Sequence, residues 1–185
     1  HEQYMHACAW VKREGLEDKI TLLEKDYREL NSSAQQYDKL VSVEMIEAVG
    51  AKYYDEYFQT CSSLVKPHGL MLIQAITISD QRFEQSVNSI DFIKRYIFPG
   101  GQLPSNAVIA DKIATQTDLQ LIGLEDITHD YAKTLAAWRE RFWDRIDDVR
   151  SLGTDDIFIR MWNYYLCFCE GGFRERVIHT GQFLM

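Results

Sequence analysis

The stretch Leu70–Ile78 (LMLIQAITI) constrains the fold more than any other part of the chain. It is almost unbroken apolar sequence, rich in β-branched residues, and it is too short to span a bilayer, which takes about twenty residues. Such a run is expected of a strand buried on both faces, as in a parallel sheet covered by helices. The tetrapeptide Lys66-Pro67-His68-Gly69 just before it reads as a turn.

The flanking pattern extends this reading. Met5, Cys8, Ala9 and Val11 recur at helical spacing, and Gly15 stands where a helix would end. Ile20–Leu23 reads as a short strand, followed by a polar loop from Glu24 to Gln36. Tyr37–Val43 alternates as a strand, and Ala51–Val65 carries apolar side chains three and four apart, the pattern of an amphipathic helix. The segment Asp80–Ser105 looks irregular, and Ala107–Thr115 and Leu119–Ile127 read as helix then strand. Tyr131–Val149 and Asp155–Cys169 read as long helices rich in aromatic residues, with Val177–Met185 as a final strand. This alternation predicts an α/β domain built on a parallel sheet.

Composition narrows the function classes. A chain of 185 residues, 46% hydrophobic and 26% charged, suits one folded domain. Its net charge of -8 argues against nucleic acid as a partner and against a polybasic membrane anchor. The four cysteines are too few for a disulfide framework and lack CxxC spacing, so they read as reduced thiols. The five histidines have no metal-ligand spacing, and no metal is expected. His1–Trp10 does not resemble a signal peptide. With no initiator Met, the chain reads as beginning inside a helix, as a fragment would.

An open α/β sheet keeps its ligands at the carboxyl ends of its strands. Glu44 and Glu47 follow the strand Tyr37–Val43 and could either face a ligand or serve as first-turn acids at a helix N-terminus. Asp26-Tyr27 could bind and stack on an adenine, or form an ordinary turn. Gln74 lies within the apolar strand, where its amide needs partners. Tyr131 opens an aromatic-rich helix and can be either a packing or a catalytic residue. No GxGxxG or GxGxG occurs, so either the domain binds no nucleotide or its glycine loop lies elsewhere.

Four motifs in order carry a resemblance: Tyr37–Gly50 (YDKLVSVEMIEAVG), Tyr96–Ser105 (YIFPGGQLPS), His129–Trp138 (HDYAKTLAAW) and Tyr164–Arg176 (YYLCFCEGGFRER). Together they resemble the cyclopropane-fatty-acyl-phospholipid synthase family, including mycolic acid cyclopropane synthases, over essentially the whole chain. The resemblance implies a class I S-adenosylmethionine-dependent methyltransferase with a seven-stranded Rossmann-like sheet. Residues 1–185 would be the carboxyl-terminal part of that domain, lacking its first strands. The glycine-rich cofactor loop and the family's active-site cysteine would lie upstream of His1, and cofactor binding by this stretch alone should be weak.

The implied reaction is methyl transfer to a cis double bond of a phospholipid acyl chain, followed by proton loss and cyclopropane closure. The resemblance also implies a bicarbonate ion held by Glu47, Gln74 and Tyr131 together with backbone near Ile76 and Val43. Gln3, Asp26, Tyr27, Arg28 and Val43 fall where the family lines its cofactor site. Glu47 is preferred over Glu44, which lies three positions earlier and need not face the same pocket. The implied setting is a cytoplasmic enzyme peripheral to the inner face of the membrane, with membrane phospholipid as substrate and room for a homodimer.

Two positions depart from the family pattern. Gln74 stands where better-known members have His, and Ala48 where they have His after the glutamate. Glutamine can hydrogen-bond bicarbonate but cannot shuttle its proton, so this departure bears on ring closure rather than on methyl transfer. The alternatives are a small-molecule N-methyltransferase of the same superfamily and a catalytically silent module.

Overall fold

The computed structural model describes residues 2–30 and 36–185. The chain divides into a first unit, His1–Gln35, and a second, Gln36–Met185.

In the first unit, helix α1 spans Glu2–Arg13, with an acid in its first turn and two bases in its last, as the helix dipole favours. Gly15 ends it with φ +64, a left-handed conformation that glycine adopts without strain. The strand expected at Ile20–Leu23 does not form. That segment is irregular, with Ile20 and Leu23 exposed. A strand is completed by a neighbour's ladder, and none pairs with this segment among the described residues. Tyr27–Glu29 is a single 3-10 turn. Residues 31–35 of the expected polar loop, and His1, lie outside the described residues.

The second unit runs β1 (Tyr37–Val43), α2 (Ile46–Val49), α3 (Tyr54–Leu64), β2 (Val65–Ile78), α4 (Phe83–Val87), α5 (Asn106–Gln116), β3 (Gly123–Asp126), α6 (Thr128–Asp144), α7 (Ile146–Ser151), α8 (Asp156–Arg174) and β4 (Ile178–Leu184). Its sheet has the order β1-β2-β4-β3. β1 and β2 are parallel, but β4 runs antiparallel to both β2 and β3. The sheet is therefore mixed, where the sequence reading expected a parallel one. Apolar alternation reports which face a residue occupies and is silent on strand direction.

The Lys66–Gly69 segment is not a chain-reversing turn. It lies inside β2, where the register against β1 slips from Tyr37↔Val65 to Lys39↔Leu70 and His68 takes φ +67. A Cβ on Gly69 would sit 2.6 Å from Val65 Cγ1 and 2.9 Å from the Asp38 carbonyl oxygen, so the bulge needs glycine there. Beyond it, Met71, Ile73, Ala75 and Thr77 are fully buried while the alternate residues are half-buried. One face of β2 is thus closed and the other only partly covered.

α3 lies on β1 and β2, with α5 against it, and buries Tyr54, Tyr57 and Phe58. α6 and α8 pack on each other and on β4 around Ala132, Leu135, Leu166 and Phe173. The helix expected over Tyr131–Val149 begins earlier, at Thr128, and breaks at Arg145 into α6 and α7. α8 starts where the Asp155 side chain accepts the Phe158 N–H at 2.7 Å. Glu170 of α8 joins the pair, holding Arg139 of α6 at 3.1 Å and Arg174 at 2.8 Å. No helix among the described residues is long and apolar enough to cross a membrane.

Candidate active site

The carboxyl ends of β1 and β2 bring four polar side chains together. Parallel pairing sets Val43 beside Gln74, and the Glu44 N–H closes the ladder on the Gln74 carbonyl at 2.8 Å. Glu44 then takes φ +51, a left-handed conformation uncommon outside glycine, before α2 begins. Its carboxylate is held from two directions. The Gln74 amide donates to Oε1 at 2.9 Å, and the Tyr131 hydroxyl, at the start of α6, donates to Oε2 at 2.7 Å.

Gln74 is satisfied at both ends, because its Oε1 accepts from the Gln182 amide at 2.9 Å. Antiparallel register places Gln182 of β4 directly opposite Gln74. A continuous chain of hydrogen bonds therefore runs Gln182, Gln74, Glu44, Tyr131. Burial, and the Glu44 carboxylate accepting its hydrogen bond, push the Tyr131 hydroxyl well above the usual tyrosine range. Its ring packs on Phe173 with centroids 4.8 Å apart.

Glu47 sits in α2 and reaches across to β2, where the Ile76 N–H donates to its Oε1 at 2.5 Å. Its Oε2 is buried and has no hydrogen-bond partner. Burial, reinforced by the nearby Glu44 charge, lifts its carboxyl to about 7, against the pull of the backbone N–H bonds. The segment 98–105 clamps this turn from outside. The Gln102 N–H donates to the Glu47 carbonyl at 2.8 Å, the Tyr54 hydroxyl to the Gln102 carbonyl at 2.7 Å, and the Lys94 ammonium to the Gln102 side chain at 2.7 Å. Gln102 thus anchors the backbone of the turn that carries Glu47.

Gln74 and Tyr131, which the family resemblance assigns with Glu47 to a bound bicarbonate, instead both donate to Glu44. The sequence reading prefers Glu47 and holds only that Glu44 need not face the same pocket; in the structure it is Glu44 that receives both donors. Glu47 and the Ile76 N–H meet each other. Gln182 is a member that the sequence reading did not single out, and it becomes visible only with the β2–β4 register. Val43 stands beside the cluster as an exposed strand end.

Gln3, Asp26, Tyr27 and Arg28 lie in the first unit. Gln3 is exposed in the first turn of α1. Asp26 caps the Tyr27–Glu29 turn and holds Arg28 through its N–H at 3.0 Å, Nε at 2.9 Å and Nη2 at 2.6 Å. Those Arg28 bonds lower the Asp26 carboxyl to about 2.

Next to the second unit's cluster, a cleft of about 410 Å³ opens between α6 and α8. It is lined by Trp138, Arg141, Phe142, Trp162, Tyr165 and Leu166. Phe142, Trp162 and Tyr165 also pack on the core that carries Tyr131 and Phe173. Burial pushes the Tyr165 hydroxyl up to about 12, so the wall it contributes is neutral.

Comparison with known proteins agrees with this architecture. The chain is 39% identical over 184 residues to tuberculostearic acid methyltransferase UfaA1 of Mycobacterium tuberculosis, covering all of this chain and 42% of that protein. It is 40% identical over 172 residues to cyclopropane-fatty-acyl-phospholipid synthase of Escherichia coli, covering 91% of this chain and 41% of that protein. The chain thus spans less than half the length of these relatives. Its fold superposes on mycolic acid cyclopropane synthase CmaA1, solved with SAH and CTAB, with a TM-score of 0.82, 22% identity, and cover of all of this chain and 66% of that one. Residues 1–183 match the family described as mycolic acid cyclopropane synthetase, and the chain belongs to that family.

Proposed function

We propose that the protein is an S-adenosylmethionine-dependent methyltransferase acting on a cis double bond of a phospholipid acyl chain, with a cyclopropane acyl chain as product. The observation that carries the reading is the cluster of Glu44, Gln74, Tyr131 and Glu47 at the carboxyl ends of β1 and β2, in a chain of this family. Relatives named for a fatty-acid methyltransferase and for a cyclopropane synthase, each near 40% identity, support a lipid substrate.

S-Adenosylmethionine, when bound, supplies an electrophilic methyl group on a sulfonium centre. The donor set of the first unit fits such a group. Asp26 is ionised, and Arg28 uses three of the roughly four acceptor positions a carboxylate offers, which leaves one for an adenosine amino or hydroxyl group. Tyr27 supplies a ring beside it. Gln3 and Arg28 are the remaining residues of this unit that would hold the cofactor.

The chain's own groups supply electrostatics. A double bond that accepts a methyl group becomes positively charged, and fixed negative charge in a dry site stabilises that charge most. Glu44 is preorganised by two donors, so it need not rearrange as the charge grows. Glu47, with one oxygen free, adds a second carboxylate when ionised. The aromatic cleft between α6 and α8 offers an apolar wall for the acyl chain.

The test is a mass measurement on monounsaturated phospholipid vesicles incubated with the full-length protein and methyl-labelled S-adenosylmethionine. The expected result is acyl chains heavier by one labelled CH2 unit. Label appearing on an added amine, with acyl chains unchanged, would favour the small-molecule reading instead.

A further inference from the structure

We propose that Glu44 is the proton acceptor of this site, and that its carboxylate takes the place a bicarbonate ion would otherwise occupy. The inference rests on the methyltransferase reading above. Its starting point is that the Gln74 amide, the Tyr131 hydroxyl and the Ile76 N–H, three of the groups expected to hold the ion, are already bonded to carboxylates of the chain. Gln74 donates to one oxygen of Glu44 and Tyr131 to the other, at 2.9 and 2.7 Å. The Ile76 N–H donates to Glu47. A bicarbonate placed there would meet two glutamates and compete with both for the same donors. The residues present do not fit the ion.

The backbone gives a second, independent sign. Glu44 is one of three non-glycine residues with positive φ among the described residues, at +51. That conformation strains any residue with a Cβ, and glycine would hold it freely. A glutamate kept at such a position, with both oxygens engaged inward, marks a side chain whose carboxylate is needed.

The chemistry follows from the groups at hand. Gln74 cannot accept a proton, and the Tyr131 hydroxyl is itself a donor to Glu44. Each Glu44 oxygen accepts one hydrogen bond and keeps a further lone pair. After methyl transfer the acyl chain carries a positive carbon. A C–H bond of the new methyl group breaks, and its proton passes to Glu44. The electron pair of that bond forms the C–C bond that closes the three-membered ring. Glu44 is left neutral and returns the proton to water once the product departs. Gln74 and Tyr131 act as positioning residues that aim the carboxylate.

The experiment compares the full-length wild type with Glu44→Gly and Glu44→Gln. Thermal unfolding is followed while sodium bicarbonate replaces sodium chloride at constant ionic strength, and turnover is measured in CO2-depleted buffer with and without added bicarbonate. The wild type should show no saturable bicarbonate shift in Tm, and its turnover should not depend on bicarbonate. Glu44→Gly, relieved of strain and with a vacated anion site, should gain a saturable rise in Tm. Its turnover should fall about a hundredfold and recover in part with bicarbonate, while Glu44→Gln should fall as far without recovery. A saturable Tm rise in the wild type, or a severalfold loss of wild-type turnover on CO2 depletion, would overturn the assignment. If neither wild type nor variants methylate acyl chains, the functional reading fails, and the unfolding series still decides whether Glu44 fills the anion site.

Discussion

Replacing Glu47 with glutamine should cut turnover by about a hundredfold at pH 8, the usual order for one electrostatic group in a dry site. The glutamine can still accept the Ile76 N–H, so the turn should hold its shape while the second negative charge is lost. Because the charge on the acyl chain exists only during the reaction, kcat should fall much more than KM rises.

The same residue sets a pH dependence. With a carboxyl near 7, Glu47 passes from about one-tenth to nine-tenths ionised between pH 6 and 8, so wild-type turnover should rise roughly tenfold over that range. The Glu47→Gln profile should be flatter.

Stability should move the opposite way. The folded-state value lies above that of the unfolded chain, so the protonated group contributes stability that is present below about 4.5 and is lost as pH rises through about 7. Urea unfolding at pH 5 and 8 should show wild type losing on the order of 3 kcal/mol, scaled from the shift, with a smaller loss in Glu47→Gln. A pH-independent wild-type rate with an unchanged variant would remove Glu47 from the site.

Phe173→Ala should produce the largest loss of stability, about 3–5 kcal/mol, the range for emptying a buried aromatic site. Phe173 is only 1% exposed, packs among Ala132, Leu135 and Leu166, and backs the ring of Tyr131. The cavity would therefore open directly behind a positioning residue. Denaturant unfolding should show the loss. Turnover measured well below the unfolding transition should fall as well, because Tyr131 loses the surface that aims it. A cost below about 1 kcal/mol would mean that the α6–α8 pair repacks freely, unlike a close-packed core.

Much of the second unit is legible in the sequence, and the misses have physical causes. Tyr37–Val43 reads correctly to its end residues because an alternating strand ends where the alternation ends. Leu70–Ile78 identifies itself through continuous apolar character, although its second face proves half-covered where the polar cluster opens. Ile20–Leu23 carries the same local signal and forms no strand, since the pattern says nothing of a neighbour. Lys66–Gly69 looks like a turn because Pro, His and Gly permit a kink, but composition cannot distinguish a bulge from a reversal.

Within the site, Tyr131 is identifiable from a family motif and Gln74 from its place as a polar residue in an apolar strand, and their meeting point is not. Glu44 lies between a strand of period two and a helix of period 3.6, in a left-handed conformation that neither periodicity describes. Counting positions from Glu47 therefore misplaces it. Gln182 is hidden for a different reason. Its contact with Gln74 spans 108 positions and depends on an antiparallel register.

The most direct measurement is a crystal structure of the full-length protein with S-adenosylhomocysteine and a monounsaturated phospholipid. The account predicts the acyl chain entering along the cleft between α6 and α8, with its double bond at van der Waals distance from the Glu44 carboxylate and no separate anion between Gln74 and Tyr131. A lipid bound with its double bond away from the ends of β1 and β2, or a bicarbonate bridging Gln74 and Tyr131 with Glu44 turned aside, would contradict it.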